Sequence, residues 1–464
     1  MTRPSNLQEL RESGHVVLPV KEEMRRNLIR KLRSGETLFH GIVGYEDSVI
    51  PQLENAILSG QDMVLLGERG QAKTRIARSL VSLLDEEIAV LAGTELNDDP
   101  FNPISQAGRQ IVADQGDRAA IDWVPRDRRY GEKLATPDIT IADLIGEVDP
   151  IKVAEGRYLS DELTIHYGLL PRTNRGIFCL NELPDLAERI QVGLLNIMEE
   201  RDVQIRGYKV RLALDIFVVA SANPEDYTNR GRIITPLKDR FGAQIRTHYP
   251  RTLAHEISIM ESERTHFLDD VETIVPDFMK EIVAEITHLA RRSPDISQRS
   301  GVSVRVTIAN YENVLSNALK RAIRTGENQA VPRISDLGAI IASTAGKVEL
   351  ESFGSDSRDD RVLEKIVQSA IQNVWNRHFS VPQFQQLTAA FDSGLRVEVS
   401  DRMPAMNYVQ QVSELPGLAE AVQSIGASGQ PSTVASAVEF VFEGLHLGRK
   451  LNKERVDGGI RYGG

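Results

Sequence analysis

The segment Gly67-Glu68-Arg69-Gly70-Gln71-Ala72-Lys73-Thr74 combines residue types that could bind phosphate. A short apolar run, 63–66, precedes it, and a helical pattern begins at Lys73. In such a loop the backbone N–H groups point at phosphates, the Lys adds a positive charge, and the Thr hydroxyl reaches Mg²⁺. The strict pattern, G-x-x-x-x-G-K-[ST], has Gly where this chain has Ala72. The spacing predicts a loop for the β- and γ-phosphates of a nucleotide, with one departure at Ala72.

A second candidate group ends another apolar run, Gly176-Ile177-Phe178-Cys179-Leu180-Asn181-Glu182. At such a position the first polar residue holds Mg²⁺, mostly through water, and the Glu polarises an attacking water. The usual first residue is Asp, whereas Asn181 brings an amide without charge. The alternative is a core strand followed by an acid that begins a helix, and Cys179 is expected to be core packing.

Two further polar residues follow the next apolar run. Asn223 directly follows the apolar run Ile216–Ala222. It is expected to lie between the loop and Glu182, where it could orient the lytic water. Arg240, in Pro236-Leu237-Lys238-Asp239-Arg240-Phe241-Gly242, is a candidate arginine finger for the active site of a neighbouring subunit. Such a guanidinium neutralises charge on the transferred phosphoryl group. A structural ion pair is the alternative for Arg240.

The elements that must position these residues alternate between short apolar runs and amphipathic stretches from Gly41 to about Pro250. This alternation predicts βαβ units and a parallel sheet, an α/β fold class. After about residue 252 the apolar positions recur at helical spacing. The candidate strands are 63–66, 88–92, 176–181, 215–221 and 244–248.

The order of these motifs resembles the AAA+ ATPases, and among them the magnesium-chelatase ATPase subunit and the MoxR-type ATPases. In the MoxR loop Ala before Lys is common, so Ala72 fits the resemblance. The passages that carry it are Phe39–Asp47, the Gly67–Thr74 loop, Ala142–Asp149 through Gly168–Leu170, Asn174–Leu186, and Asn223-Pro224 with Leu237–Gly242.

The resemblance implies an ATP and Mg²⁺ site and a five-stranded parallel sheet. Ile42 and Val43 would border the adenine. A hairpin at about 202–212, where alternation surrounds Gly207, would point at a central pore. Arg305 would be the sensor-2 arginine that contacts the γ-phosphate, with Arg299 and Arg291 as competitors. A solvated arginine in the first turn of a helix is the alternative.

The expected organisation has four parts. Residues 1–38 form an N-terminal helical segment, and 39–250 form the ATPase core with a helix-2 insertion at about 142–170. Residues 251–350 form a helical lid, and 351–464 form a helical C-terminal extension with a disordered tail.

Composition narrows the function classes. The chain of 464 residues is 41% apolar and 26% charged, with a formal net charge of −11. The negative charge argues against broad binding to nucleic acids or membrane surfaces, and no apolar run approaches the roughly 18 residues of a membrane span. A single cysteine and an N-terminus without an apolar signal region favour the cytoplasm.

The sequence thus predicts a homo-oligomeric ATPase ring that remodels or activates a partner, and the resemblance implies that the ring is a hexamer. The resemblance implies a von Willebrand A-domain partner, and because this chain lacks the D-x-S-x-S motif, that partner would be a separate protein. Metal insertion into a pigment and a MoxR-like chaperone role both remain open. Two alternatives stay beside them: a DNA-linked or transcriptional AAA+ regulator, although the G-A-F-T-G-A loop is absent, and a nucleotide-binding switch with weak hydrolysis.

Overall fold

The computed structural model describes residues 3–149, 151, 162–200, 212–223, 231–267, 271–297, 301–348, 356–400, 402–427, 429–456 and 459–464. Residues 202–211 of the hairpin expected at about 202–212 lie outside them, as do residues 150 and 152–161 of the insertion. The chain forms two compact units, Met1–His248 and Tyr249–Gly464.

The first unit is built around short strands, numbered here along the whole chain. They are β1 Met63–Leu66, β2 Glu87–Leu91, β3 Ile121–Pro125, β4 Tyr130–Leu134, β5 Gly146–Val148, β6 Ile165–Tyr167, β7 Gly176–Asn181, β8 Ile216–Ala222 and β9 Ala243–Arg246. Its α-helices are Leu7–Glu12, Val20–Ser34, Val49–Leu58, Lys73–Ser79, Gln106–Gln115, Ile141–Leu144, Leu169–Arg172, Glu188–Glu200 and Thr235–Arg240.

A five-stranded parallel sheet with the order β4-β7-β8-β1-β9 forms the centre of this unit. Every residue of β7 and β8 is buried, as expected for central parallel strands covered on both faces. The predicted α/β fold class with a five-stranded parallel sheet is confirmed.

One predicted strand of the sheet is wrong. The run at 88–92 forms β2, which pairs antiparallel with β3 outside the main sheet. Its apolar residues Ala89 and Leu91 join a small separate core with Leu7 and Leu10. The place in the main sheet is taken by β4, an edge strand whose Glu132 and Lys133 break the apolar pattern. Edge strands commonly carry such charges.

The second unit is mainly helical. Its strands are β10 Glu272–Thr273, β11 Gln329–Ala330, β12 Arg396–Val399, β13 Asn452–Val456 and β14 Gly459–Gly463. Its α-helices are Leu253–Glu263, Asp277–Ala290, Val304–Thr325, Ile341–Thr344, Asp356–His378, Gln385–Asp392, Ala405–Glu414, Leu418–Ser424 and Pro431–Leu447.

The described residues of the second unit share one hydrophobic core, whose members extend along the chain from Met260 to Tyr462. The helices Asp277–Ala290 and Pro431–Leu447 meet through Phe278 and Phe440, whose rings stack with centroids 4.5 Å apart. Gly444 lets Trp375 approach closely, because a Cβ there would lie 1.9 Å from Trp375 Cδ1.

The expectation of a disordered tail is wrong. Residues 452–456 and 459–463 form β13 and β14, which build an antiparallel sheet in the order β12-β14-β13. Tyr462 is buried, and its hydroxyl donates to Glu443. Lys453 donates to the same carboxylate at 2.7 and 2.8 Å. The glycines suggested a loose tail, but the tyrosine between them packs into the core.

No helix among the described residues has both the length and the apolar character needed to cross a bilayer.

Candidate nucleotide site

The Gly67–Thr74 loop lies at the carboxyl end of β1, between β8 and β9, where open parallel sheets place their ligands. The helix Lys73–Ser79 begins directly after it. Ala72, the residue before that helix, has a left-handed backbone with φ 58°. That conformation suits Gly, which explains why the common phosphate-loop pattern has Gly at this position.

A buried side chain fixes the shape of the loop. Gln71 Oε1 accepts the Glu68 N–H at 3.1 Å and the Thr247 hydroxyl at 2.7 Å. Gly67 permits this arrangement, since a Cβ there would lie 1.9 Å from Thr247 Oγ1. The loop is therefore held to the end of β9 as well as to β1.

Tyr45 also holds the loop. Its hydroxyl lies 3.0 Å from the Gln71 carbonyl and 2.7 Å from that of His248, and it can donate to either. Burial raises the pKa of Tyr45 to about 12, so the hydroxyl keeps its proton at neutral pH. Neither residue was assigned a role from the sequence, because Tyr45 had no role of its own within the Phe39–Asp47 passage and Thr247 lies outside the motifs.

Lys73 is buried within the site. Its ammonium donates to the carbonyls of Gly67 and Glu68, the latter at 2.8 Å, and to Asn223 Oδ1 at 2.7 Å. All three acceptors are polar groups of the loop or of the neighbouring strand end. The ammonium therefore lies among the groups that would surround a terminal phosphate.

Asn223 links Lys73 to Glu182. Its Nδ2 donates to Glu182 Oε2 at 3.0 Å, while its Oδ1 accepts from Lys73. Glu182 has a left-handed backbone with φ 55°, and its N–H donates to Ser221 Oγ at 3.3 Å. The structure thus brings together three residues predicted from the sequence. Lys73 follows the loop after β1, Glu182 follows β7, and Asn223 follows β8.

Asn181 contacts a carboxylate that sequence reasoning missed. Its Nδ2 donates to Glu132 Oε1 at 2.8 Å, and its Oδ1 accepts from Ser221 Oγ at 3.1 Å. Glu132 lies on β4, the strand absent from the sequence interpretation, so no motif pointed to it. Cys179 is buried, and burial raises the pKa of its thiol to about 12, in keeping with a packing role.

Arg240 lies at the end of the helix Thr235–Arg240 and pairs with Glu199. Both side chains are about two-fifths exposed, at 43% and 40%. The candidate arginine finger is therefore partly exposed. Its partner in this structure, Glu199, lies on the helix Glu188–Glu200 and not in the phosphate loop.

Of the remaining candidates, three belong to the first unit and Arg305 belongs to the second. Ile42 is buried in the core shared with Ile76, Val43 is partly buried, and Arg69 is exposed. Arg305 is exposed in the first turn of its helix. Its competitor Arg291 donates to Glu256 at 2.8 and 3.1 Å.

A cavity of about 390 Å³ adjoins the loop. Lys238 and Arg246 contribute two cations to its wall. The other lining residues are Leu66, Gly67, Glu68, Gln71 and Thr247.

The donor set fits Mg²⁺ only together with a nucleotide. Thr74, Asn181 and Glu182 offer hard oxygen atoms, the type of ligand Mg²⁺ prefers. In the described ranges, no cluster of three or more His, Cys, Asp or Glu side chains could hold a metal ion. Phosphate oxygens and water would have to complete the coordination, as is usual for this ion.

Comparison with known proteins adds the following likenesses. The sequence profile of the Sigma-54 interaction domain matches residues 155–240. The magnesium-chelatase subunit ChlI of Nephroselmis olivacea is 24% identical over 70% of this chain and 93% of its own length. The chloroplastic subunit ChlI of Oryza sativa subsp. indica is 27% identical over 52% of this chain.

The match to the rice protein spans only 56% of that protein's length, so this chain corresponds to about half of several curated relatives. Among solved structures, a cryo-EM-based complex between subunits BchI and BchD of magnesium chelatase is similar with a TM-score of 0.36 and 20% identity. It covers 72% of this chain and 94% of that chain.

Proposed function

We propose that this chain, an AAA+ ATPase of the magnesium-chelatase and MoxR-like type, binds and hydrolyses ATP with Mg²⁺ in order to remodel or activate a partner protein. The observation that carries the proposal is the continuous contact from Lys73 through Asn223 to Glu182. It joins a phosphate-binding cation to a carboxylate that could act on water.

Binding rests on the loop. Lys73 would exchange the Gly67 and Glu68 carbonyls for β- and γ-phosphate oxygens, and the loop N–H groups would donate to the same phosphates. The Thr74 hydroxyl and Asn181, through water, would hold Mg²⁺. Mg²⁺ would supply charge neutralisation at the transferred phosphoryl group.

Hydrolysis would depend on Glu182 and Asn223. Glu182 would accept a proton from the attacking water as general base. Asn223 holds the Glu182 carboxylate at 3.0 Å and touches Lys73, so it could report the presence of the terminal phosphate to the base. Glu182 requires an unusual backbone conformation, which suits a residue held in place for function.

The proposed active form is a homo-oligomeric, hexameric ring. Arg240 would enter the site of the neighbouring subunit and stabilise charge there, a contribution on the order of 10³–10⁵ in rate. The ring would act in the cytoplasm on a separate protein with a von Willebrand A domain. Magnesium insertion with such a subunit and a MoxR-like chaperone role are two forms of this proposal.

A second candidate function follows from the Sigma-54 interaction domain match at residues 155–240. It is an AAA+ regulator linked to transcription or DNA. The missing G-A-F-T-G-A motif and the net charge of −11 favour the remodelling role over it. A nucleotide-binding switch with little hydrolysis is a third form, because Asn181 brings no charge to the metal.

Two substitutions test the proposal. Lys73→Ala should weaken ATP binding about 100-fold or more in calorimetry, because it removes charge-assisted hydrogen bonds to phosphate. Glu182→Gln should preserve ATP binding but lower turnover by about 10²–10⁴ at protein concentrations that form rings. Lys365→Ala, on an exposed face of the second unit, is the control.

Undiminished ATP affinity in Lys73→Ala would exclude the phosphate-loop assignment. Slow hydrolysis in the unmodified chain that Glu182→Gln leaves unchanged would support the switch instead. Specific retention of duplex DNA at physiological salt, with no response of a protein partner to ATP, would favour the regulator.

A further inference from the structure

Asn181 is fixed at both ends of its carboxamide. Nδ2 donates to Glu132 Oε1 at 2.8 Å, and Oδ1 accepts from Ser221 Oγ at 3.1 Å. Asn181 is 8% exposed, so little water competes for these contacts. The side chain can therefore present its oxygen in only one direction, and a carboxylate lies directly behind its nitrogen.

Glu132 is itself oriented by an arginine. Arg78 donates from Nε to Glu132 Oε2 at 2.8 Å and from Nη2 to Oε1 at 3.1 Å. Arg78 and Thr74 are four residues apart on the helix Lys73–Ser79, so they lie on one face of it. Arg78, the partner of Glu132, thus lies one helical turn from Thr74, whose hydroxyl is expected to reach Mg²⁺.

We propose that Glu132, acting through Asn181, supplies the negative charge that an Asp at position 181 would bring to the metal. The proposal rests on the proposed function and assigns Glu132 a positioning role in it. The carboxylate of the usual motif has moved to the adjacent strand, and the amide of Asn181 connects it to the site.

The physical basis is polarisation through a hydrogen bond. A carboxylate that accepts the Nδ2–H of an amide increases electron density on the amide oxygen. Besides Ser221, only the thiol of Cys179 contacts Asn181 Oδ1 among the described residues, as a weak donor at 3.8 Å, so a metal-bound water could replace it. Carboxylates that orient metal-site residues in this way commonly change metal affinity 10–100-fold when removed.

The ion pair with Arg78 does not cancel this effect. The Arg78 side chain is 64% exposed, whereas that of Glu132 is 22% exposed. Solvent screens the exposed guanidinium strongly, while the interaction between Glu132 and Asn181 is better shielded from water. Arg78 therefore acts mainly by holding the carboxylate in the orientation that faces Asn181.

Glu132→Gln tests the charge. We expect the Mg²⁺ concentration that gives half of the maximal ATP affinity to rise about tenfold, as measured by calorimetric ATP titrations at a series of MgCl₂ concentrations. ATP affinity in EDTA should stay unchanged, because the phosphate loop is intact. Asp117→Asn, which breaks an exposed ion pair with Arg11, is the control and should leave the Mg²⁺ dependence unchanged.

Moving the charge gives a second test. Asn181→Asp alone should lower the melting temperature, because two carboxylates would then meet at about 3 Å. Combining Asn181→Asp with Glu132→Gln should restore the melting temperature and bring the Mg²⁺ dependence to within about twofold of the unmodified chain.

The outcomes separate this inference from the proposed function. If the unmodified chain shows no Mg²⁺-dependent ATP binding, the proposed function fails. If it binds ATP with Mg²⁺ and Glu132→Gln lowers only the melting temperature, Glu132 is a structural ion-pair partner and the inference is wrong. A double variant no better than Glu132→Gln would also overturn it.

Discussion

Ala72 departs from the common phosphate-loop pattern, and its backbone conformation is unfavourable for a residue other than Gly. Its φ of 58° is a conformation that Ala adopts at an expense of about 1–2 kcal/mol, whereas Gly adopts it freely. The chain nevertheless forms the loop, because Gln71, Thr247 and Tyr45 fix it from the side. The strain at Ala72 is thus offset by contacts that a motif search does not include.

Ala72→Gly should therefore stabilise the nucleotide-free protein by on the order of 1 kcal/mol, seen as a higher urea midpoint for the first unit. Ala113→Gly provides the control, since Ala113 is exposed within the helix Gln106–Gln115. That change should destabilise by about 0.5–1 kcal/mol. Equal losses from both substitutions would show that residue 72 is not left-handed in solution.

At the scale of elements, the central strands could be predicted because burial on both faces leaves an unbroken apolar run. The run Gly176–Asn181 and the run Ile216–Ala222 are of this kind. The edge strand β4 could not, because its Glu132 and Lys133 resemble a solvated loop. The sequence therefore did not predict the strand Tyr130–Leu134. For the same reason it did not predict the Glu132 carboxylate beside Asn181.

The last strand was missed for a different reason. The glycines at 458, 459 and 463 suggested disorder, but Tyr462 provides a ring and a hydroxyl that the core accepts. A local composition cannot reveal such a contact, since Glu443 lies on another element. The packing of β14 depends on the hydrogen bond from Tyr462 to Glu443 and on the buried ring of Tyr462.

Tyr462→Phe should lower the free energy of unfolding of the second unit by about 1–2 kcal/mol, because a hydrogen bond to a charged group is lost. Tyr462→Ala should cost about 3–5 kcal/mol, because it also leaves a cavity. Glu454→Gln, at an exposed position of β13, should stay within about 0.5 kcal/mol. Thermal unfolding that responds to none of the three would show that β14 is not packed in solution.

At the scale of the whole molecule, three of the site residues predicted from motifs meet within the first unit, whereas the candidate arginine finger is expected to act between subunits. Lys73, Asn223 and Glu182 are in direct contact. Arg240 instead pairs with Glu199, and both are exposed. An arginine finger acts across a contact between subunits, so the role of Arg240 is a prediction about the assembly.

Arg240→Ala should leave ATP affinity within about twofold and reduce turnover by at least 10³. Mixing it with Glu182→Gln subunits should restore part of the activity, because some sites would then combine an intact Glu182 with an intact Arg240. Arg172→Ala, which breaks an exposed pair with Glu95, is the control. Mixed rings shown by cross-linking but without recovered activity would exclude a finger supplied by the neighbour.

The position of Lys73 has a consequence for product release. A buried ammonium left alone when ADP departs would carry a large desolvation penalty, and that penalty would hold the product in place. In the structure, the Gly67 and Glu68 carbonyls and Asn223 Oδ1 accept hydrogen bonds from this ammonium. Under the proposed function, these acceptors would replace the phosphate oxygens when ADP leaves, which would lower the barrier to its release.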